Sequence, residues 1–255
     1  MQENFFSEQE KLRYQRHMSI PEIGEAGQLK LKNASVMIVG AGGLGSASSI
    51  YLAASGIGTL GIMDSDVVEL SNLQRQIIHD TPSLGKLKVE VAEKRLTALN
   101  PNVCVKPYPI RALEGMDLKL FDEFQIIVDA TDNFETRYFL NEICVKKGKA
   151  FIYGSIFQFY GQLSVFDATK GPCFRCVFRN EPSREFAQSN QGLGVVGAVP
   201  GIIGSLQALE AIKLLLGVGD PVLERLLLFD GLAMHFQEIR TNKDPKCPVC
   251  GDGKR

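Results

Sequence analysis

Residues Ala34 to Gly45 read ASVMIVGAGGLG, and their reading decides the fold. Val36, Ile38 and Val39 make a short β-branched run, the mark of a buried strand. Gly40, Gly42 and Gly45 follow in GxGxxG spacing, and Ser46 to Ala54 has the composition of a helix leaving the loop. Glycines let the backbone turn and approach a phosphate, and the N–H groups and positive dipole end of the helix attract the anion. Gly58 to Met63 reads as a second strand with Asp64 at its end, where a carboxylate can accept bonds from ribose hydroxyls. Asp66, two residues on, reads as a loop aspartate capping the next segment.

Working outward, the 255 residues are 45% hydrophobic and 22% charged, enough for one large α/β domain. A net charge of -1 argues against a nonspecific nucleic-acid binder. Gln207, Glu210 and Lys213 interrupt the most apolar stretch, Gly192 to Gly219, which argues against a membrane span. MQENFFSEQEKLRYQR lacks the apolar core of a signal peptide, so a cytoplasmic protein is expected. No further domain is expected beyond Arg255.

Four of the six cysteines form CxxC pairs, Cys173 with Cys176 and Cys247 with Cys250, 70 residues apart. Where disulfides are disfavoured, two such pairs read as four thiolates around one zinc ion, a closed structural site clipping the tail to the middle of the chain. Cys104 and Cys144 read as buried packing thiols in a strand and a helix.

Before the first strand, SEQE at Ser7 to Glu10 is a capping box opening a helix to about Met18, with Arg13 and Arg16 on one face. Pro21 to Gly27 breaks that pattern. After Asp64, VVELSNLQRQIIH crowds Asn72, Gln74, Arg75 and Gln76 into a polar arm, either a surface turn or a cover over a nucleotide with Arg75 on phosphate oxygens. Gly85 to Asn100 predicts a helix with Val89, Ala92, Leu96 and Leu99 facing the core. Lys86 and Lys88 fall in its first turn, where the dipole disfavours cations and a bound anion would relieve the conflict. Asn102 to Tyr108 and Phe124 to Val128 read as strands, the second running into DATDNFETR. Asp132 is then either the N-cap of a helix over Asn133 to Lys147 or a magnesium ligand. Phe151 to Ser155 and Gly161 to Asp167 predict an antiparallel extension, Arg179 to Gly197 a mobile crossover, and Ile202, Leu206, Leu209, Ile212 and Leu216 a buried helical face. Leu223 to Phe229 and Ala233 to Arg240 predict a final hairpin turning at Asp230 and Gly231. The fold expected is α/β: a Rossmann-like, mostly parallel sheet extended by antiparallel strands.

The ordered set RYQRH, GAGGLG, DSDVVELSNLQRQ, GKLKVE, DATDN, PCFRC and CPVC resembles the MoeB, ThiF and HesA family of ubiquitin-activating-enzyme-like adenylyltransferases. The resemblance runs over nearly the whole chain. It implies one adenylating domain: a helical arm at 1–33, a nucleotide-binding half at 34–148, and the antiparallel extension, crossover and zinc clip at 149–255. It implies ATP-dependent activation of the C-terminal glycine carboxylate of a ubiquitin-like sulfur carrier ending in Gly-Gly, with release of pyrophosphate. Gly40, Gly42, Gly43 and Gly45 would approach the nucleotide, Gly43 through its backbone, Asp64 would meet the ribose, and Asn72, Arg75 and Lys88 the phosphates, with Ser71, Leu73 and Gln74 also in the cofactor-binding set. Asp132, beside Asn133, would hold magnesium. Arg16 would reach across a homodimer interface into the neighbouring site, making Arg16, Arg75, Lys88 and Asp132 the catalytic set. ThiF-like members carry a cysteine in the crossover, where this chain has Asn190, so the resemblance leans to the MoeB side, with sulfur from a separate protein. Molybdopterin, thiamin and other carrier pathways stay open, as do an NAD-binding oxidoreductase using GAGGLG and Asp64 and a silent scaffold for a ubiquitin-like partner.

Overall fold

The computed structural model describes residues 5–113, 115–181 and 194–251. Among them runs one eight-stranded sheet, ordered β3-β2-β1-β4-β5-β6-β7-β8. Its parallel part comprises β1 (Ser35–Val39), β2 (Thr59–Met63), β3 (Cys104–Tyr108), β4 (Ile126–Asp129) and β5 (Ala150–Phe157). The order reverses between β1 and β4, so their carboxyl ends border the crevice where ligands of open α/β sheets bind. β6 (Tyr160–Phe166), β7 (Arg225–Asp230) and β8 (His235–Arg240) continue the sheet antiparallel. The mostly parallel sheet with an antiparallel extension is the architecture expected.

Each crossover helix forms for a local reason. α1 (Glu8–Met18) starts at the capping box, with Glu10 N donating to Ser7 Oγ at 3.2 Å and Ser7 N to Glu10 Oε2 at 2.9 Å. Burial would raise the Glu10 carboxyl, but Lys32 at 2.9 Å and Ser7 overcome it and hold the group below the usual carboxylate range. α2 (Gly24–Lys32) occupies the stretch where Pro21 to Gly27 was expected only to break helix; the proline lies before the first turn and spares the ladder. α3 (Gly43–Ser55) follows the glycine loop, and α4 (Lys88–Leu99) buries Val89, Ala92 and Leu96 while Leu99, against expectation, is exposed at the last turn. α5 (Phe134–Lys147) is capped by the Asn133 side chain, which accepts from Thr136 N at 2.9 Å, so Asp132 is not the cap. α6 (Phe174–Val177) is a single turn.

α7 (Ala198–Leu216) corrects a second expectation. Of the residues read as its buried face, only Leu216 is buried; Ile202, Leu206 and Ile212 are half-buried and Leu209 is 51% exposed. The inward face is built from Val199, Ile203, Gly204, Ala208 and Ala211. Small residues let α7 press on α3: a Cβ on Gly204 would lie 2.5 Å from the Leu44 carbonyl oxygen. When a helix is apolar all round, period alone does not tell which side faces in. By length and composition α7 is also long and apolar enough to cross a membrane, yet half of it is buried inside the fold. Its charged side chains are partnered there: Glu210 accepts from Val222 N at 2.8 Å and pairs with Lys213 at 2.6 Å.

Candidate active site at the carboxyl ends of the parallel strands

The glycine loop divides its labour. Gly40 has a φ of +103°, and a Cβ on Gly45 would sit 1.9 Å from the Gly40 carbonyl oxygen, so these two serve the turn and the close packing of α3 on β1. A Cβ on Gly42 would meet only Gln76 Nε2, at 3.7 Å, so the space in front of the α3 N-terminus opens at this residue. Gly43 begins α3, close to the Arg75 carbonyl and to Pro200.

Asp64 leaves the end of β2 and turns back on the loop: Oδ2 accepts from Ala41 N at 2.7 Å and Oδ1 from Asp66 N at 2.8 Å. Asp66 is more than a cap. Its Oδ2 lies 3.0 Å from the Nζ of buried Lys88, the first residue of α4, so an internal carboxylate relieves the dipole conflict assigned to a bound anion; Lys86 lies outside the helix. The Asp66 side chain is 67% exposed and that of Lys88 only 7%, so the pair reaches solvent at its carboxylate end.

The arm after Asp64 contains a short 3₁₀ turn, Leu70–Asn72. Asn72 O accepts from the backbone N–H groups of Arg75 and Gln76, and Arg75 Nη1 donates to the Ser71 carbonyl at 3.1 Å. Gln74 Nε2 reaches the Val195 carbonyl at 3.5 Å, and a Cβ on Gly197 would lie 2.1 Å from the Gln74 carbonyl oxygen, so the arm packs against the entry to α7 at Gln74. His79, which the sequence reading did not single out, anchors the arm below the loop: Nε2 lies 2.9 Å from the Ala41 carbonyl oxygen. Its burial, with Lys88 nearby, lowers the imidazole below its usual value. A histidine without a motif around it gave no signal in sequence.

On the other side of β1, Asp129 ends β4 fully buried and Asp132 emerges exposed three residues later. Asp129 Oδ1 accepts from Thr131 N at 3.0 Å and Thr131 Oγ1 at 2.6 Å. Burial pushes the Asp129 carboxyl up, and the Arg137 guanidinium pulls it back.

Around the loop of Gly40, Gly42, Gly43 and Gly45, the structure places Asp64 on Ala41, the Arg75 carbonyl beside Gly43 and Thr131 N beside Gly40; Lys88 is joined through Asp66, Asp132 follows Thr131, Ser71, Asn72, Leu73 and Gln74 lie on the arm, and Asn133 is engaged in capping. Arg16 is not among them. Its neighbours on α1 meet the far end of α3: Tyr14 packs against Gly56, and His17 Nδ1 lies 3.1 Å from Gln28 Oε1, whose amide donates to the Ser55 carbonyl. The thirteen residues of α3 put about 20 Å between that end and the loop. Next to exposed Arg16, His17, Tyr51, Ala54, Ser55, Ser205, Leu209 and Ile212 line a shallow groove of about 320 Å³, with Tyr51 57% exposed.

Cys173, Cys176, Cys247 and Cys250 converge with every Sγ within 4.8 Å of the others. The closest pairs are 3.8 Å (Cys173–Cys176), 3.7 Å (Cys173–Cys247) and 3.4 Å (Cys176–Cys250). A tetrahedral ion with bonds of about 2.3 Å to sulfur places its ligands roughly 3.8 Å apart, so the cluster has room for one. Asp244 N donates to Cys176 Sγ at 3.4 Å. Cys144 is buried as expected, and burial pushes its thiol far up. Cys104 is not: it is exposed, because it opens β3, at the amino end of the sheet opposite the crevice. Asn190 lies outside the described residues.

Comparison with known proteins follows this geometry. The chain is 44% identical over 252 residues to the sulfur carrier protein adenylyltransferase of Thermus thermophilus, covering 97% of this chain and 93% of that protein. It is 45% identical over 250 residues to the adenylyltransferase and sulfurtransferase MOCS3 of Aedes aegypti, covering 98% of this chain but 57% of that protein, so it spans just over half of that relative. Among solved structures, E. coli MccB with ATP matches with a TM-score of 0.84 at 25% identity, over 98% of this chain and 76% of that one. With the ThiF family model matching residues 14–249, the chain belongs to the ThiF family.

Proposed function

We propose that this protein is a nucleotidyltransferase that uses ATP to adenylate the C-terminal glycine carboxylate of a ubiquitin-like sulfur carrier, releasing pyrophosphate. The carrying observation is the open space in front of Gly42, with Asp64 bound to the next-door Ala41 N–H, in a chain 44% identical to a sulfur carrier protein adenylyltransferase; this supports the reading. The carboxylate oxygen attacks the α-phosphorus, a P–O bond forms, and the bond to the β-phosphate oxygen breaks. Negative charge spreads over the phosphate oxygens, so the site needs placed cations rather than a protein nucleophile. Asp64 accepts from the ribose hydroxyls, while Asn72, Arg75 and Lys88 hold phosphate oxygens. Exposed Asp132 would offer a carboxylate ligand to magnesium brought in with ATP, which would supply charge neutralisation at the phosphates.

Arg16 completes the site of a second copy. Support for this comes from its distance from its own crevice and from the half-exposed apolar groove beside it, where Tyr51 and Leu209 await cover. The four cysteines hold zinc, which fixes the tail and leaves no open position for chemistry. Sulfur comes from a separate protein, since among the described residues no free cysteine faces the crevice: Cys144 is buried and Cys104 lies at the opposite end of the sheet.

ATP radiolabelled at the α-phosphorus tests the reading. Rapid acid quenching should recover label on a Gly-Gly carrier, while ATP labelled at the γ-phosphorus should leave none there. Label from the γ position on the carrier would mean phosphorylation and would overturn adenylation.

A further inference from the structure

Arg137, on the buried face of α5, has no part in the reaction as described, yet it is tied to the turn that presents Asp132. Its Nη2 donates to the Thr131 carbonyl at 2.7 Å and approaches the Gly154 carbonyl at 3.4 Å. Its Nε lies 3.2 Å from Asp129 Oδ2, an ion pair without hydrogen-bond alignment, and the guanidinium carbon lies over the rings of Tyr153 and Phe134, at 5.3 and 5.5 Å. The Arg137 and Asp129 side chains are 5% and 0% exposed. From the opposite side Gln207, also fully buried, donates through Nε2 to the Asp129 carbonyl at 2.6 Å.

The backbone from Asp129 to Thr131 is therefore held at the Asp129 carbonyl, the Asp129 carboxylate and the Thr131 carbonyl, and Asp132 is the next residue out. A buried ion pair gives little net stability over an apolar pair, because both ions must leave water. The Nη2 bond to the Thr131 carbonyl does what an apolar pair cannot: it fixes the direction in which the chain leaves the strand.

We propose that Arg137 is a positioning residue for the magnesium of the magnesium–ATP complex, acting through the Asp129–Thr131 turn on the Asp132 carboxylate. The inference rests on the adenylation reading, in which Asp132 meets that ion. Losing the groups that orient a metal ligand typically costs about 10–100-fold in metal affinity or activity.

The test is ATP affinity by calorimetry, with and without magnesium, in the full-length protein and in Arg137→Met and Arg137→Lys, with zinc content measured alongside. In Arg137→Met, affinity with magnesium should fall about tenfold or more, the usual cost of losing a ligand's supporting hydrogen bond. Affinity without magnesium and zinc content should stay as in the wild type. Arg137→Lys, keeping the charge and losing the fork, should fall between. If Arg137→Met does not fold, Thr131→Val removes one bond of the same turn and should show the same selective loss in smaller measure. Equal weakening with and without magnesium would make Arg137 structural only and overturn the proposal while leaving the adenylation reading intact. A wild-type protein whose ATP affinity is indifferent to magnesium would overturn both.

Discussion

Arg75, Asp132 and His79 illustrate three ways in which a side chain contributes at the crevice. Arg75 donates, among the described residues, to the Ser71 carbonyl through Nη1, so a phosphate can take the remaining N–H groups. Arg75→Ala and Asp132→Ala should each lower adenylate formation by about 10²–10³-fold, the usual loss when a preorganised charge partner is removed, with zinc content unchanged by atomic absorption. Loss of zinc in either would mark the residue as structural. His79 serves the scaffold. Its imidazole titrates below the usual 6.5 because it is buried. Below 6.5 the unfolded chain binds a proton that the folded chain refuses, so His79 makes stability fall as pH falls through that window. His79→Gln keeps a donor for the Ala41 carbonyl and removes the titration. Urea midpoints measured from about pH 7 to pH 5 should therefore decline less steeply in the variant than in the wild type. Parallel slopes would show that His79 is not the group responsible.

At the scale of elements, the loop from β1 to α3 separates packing from binding. Gly45→Ala drives a methyl into the Gly40 carbonyl and should cost about 1–3 kcal/mol in unfolding free energy, as overpacking does. Gly42→Ala meets only the end of the Gln76 side chain, so its melting temperature should stay near the wild type while ATP affinity drops. Equal destabilisation by both would mean that Gly42 is a packing glycine too. Such local features were legible in sequence because they are local. The β-branched run of β1, the Ser7 box and the GxGxxG spacing each carry their cause within a few residues. The paired CxxC knuckles were equally plain, since four thiols in that spacing have few other uses. What escaped depends on distant partners. The pairing of Lys88 with Asp66, the anchoring of the arm by His79 and the grip of Arg137 on Thr131 join residues whose spacing has no period. Cys104 was misread because a strand's first residue resembles its interior until the sheet is assembled, and α7 was turned the wrong way because Gly204 and Ala208, not its leucines, face α3.

For the whole molecule, the outward leucines of α7 and the position of Arg16 belong together. A helix that packs inward through small residues leaves Leu209 exposed, in a groove next to Arg16 on α1; if, as proposed, a second copy covers that groove, Arg16 would serve the second copy's crevice. In a closed two-fold dimer each site would then draw on both chains. Arg16→Ala and Arg75→Ala, each inactive alone, should on mixing and subunit exchange recover about a quarter of wild-type activity, since half the dimers are hybrids with one intact site. No recovery in exchanged dimers, verified by native mass spectrometry, would place Arg16 outside the site.

ATP–pyrophosphate exchange with magnesium, run against a panel of ubiquitin-like carriers ending in Gly-Gly, tests adenylation most directly, because it reads the reversible making and breaking of the α-phosphate bond. Exchange with one carrier, lost when its last glycine is removed, is the predicted result and would identify the carrier. A folded, zinc-loaded protein that binds a carrier yet catalyses no exchange with any of them would contradict adenylation and leave a binding protein in its place.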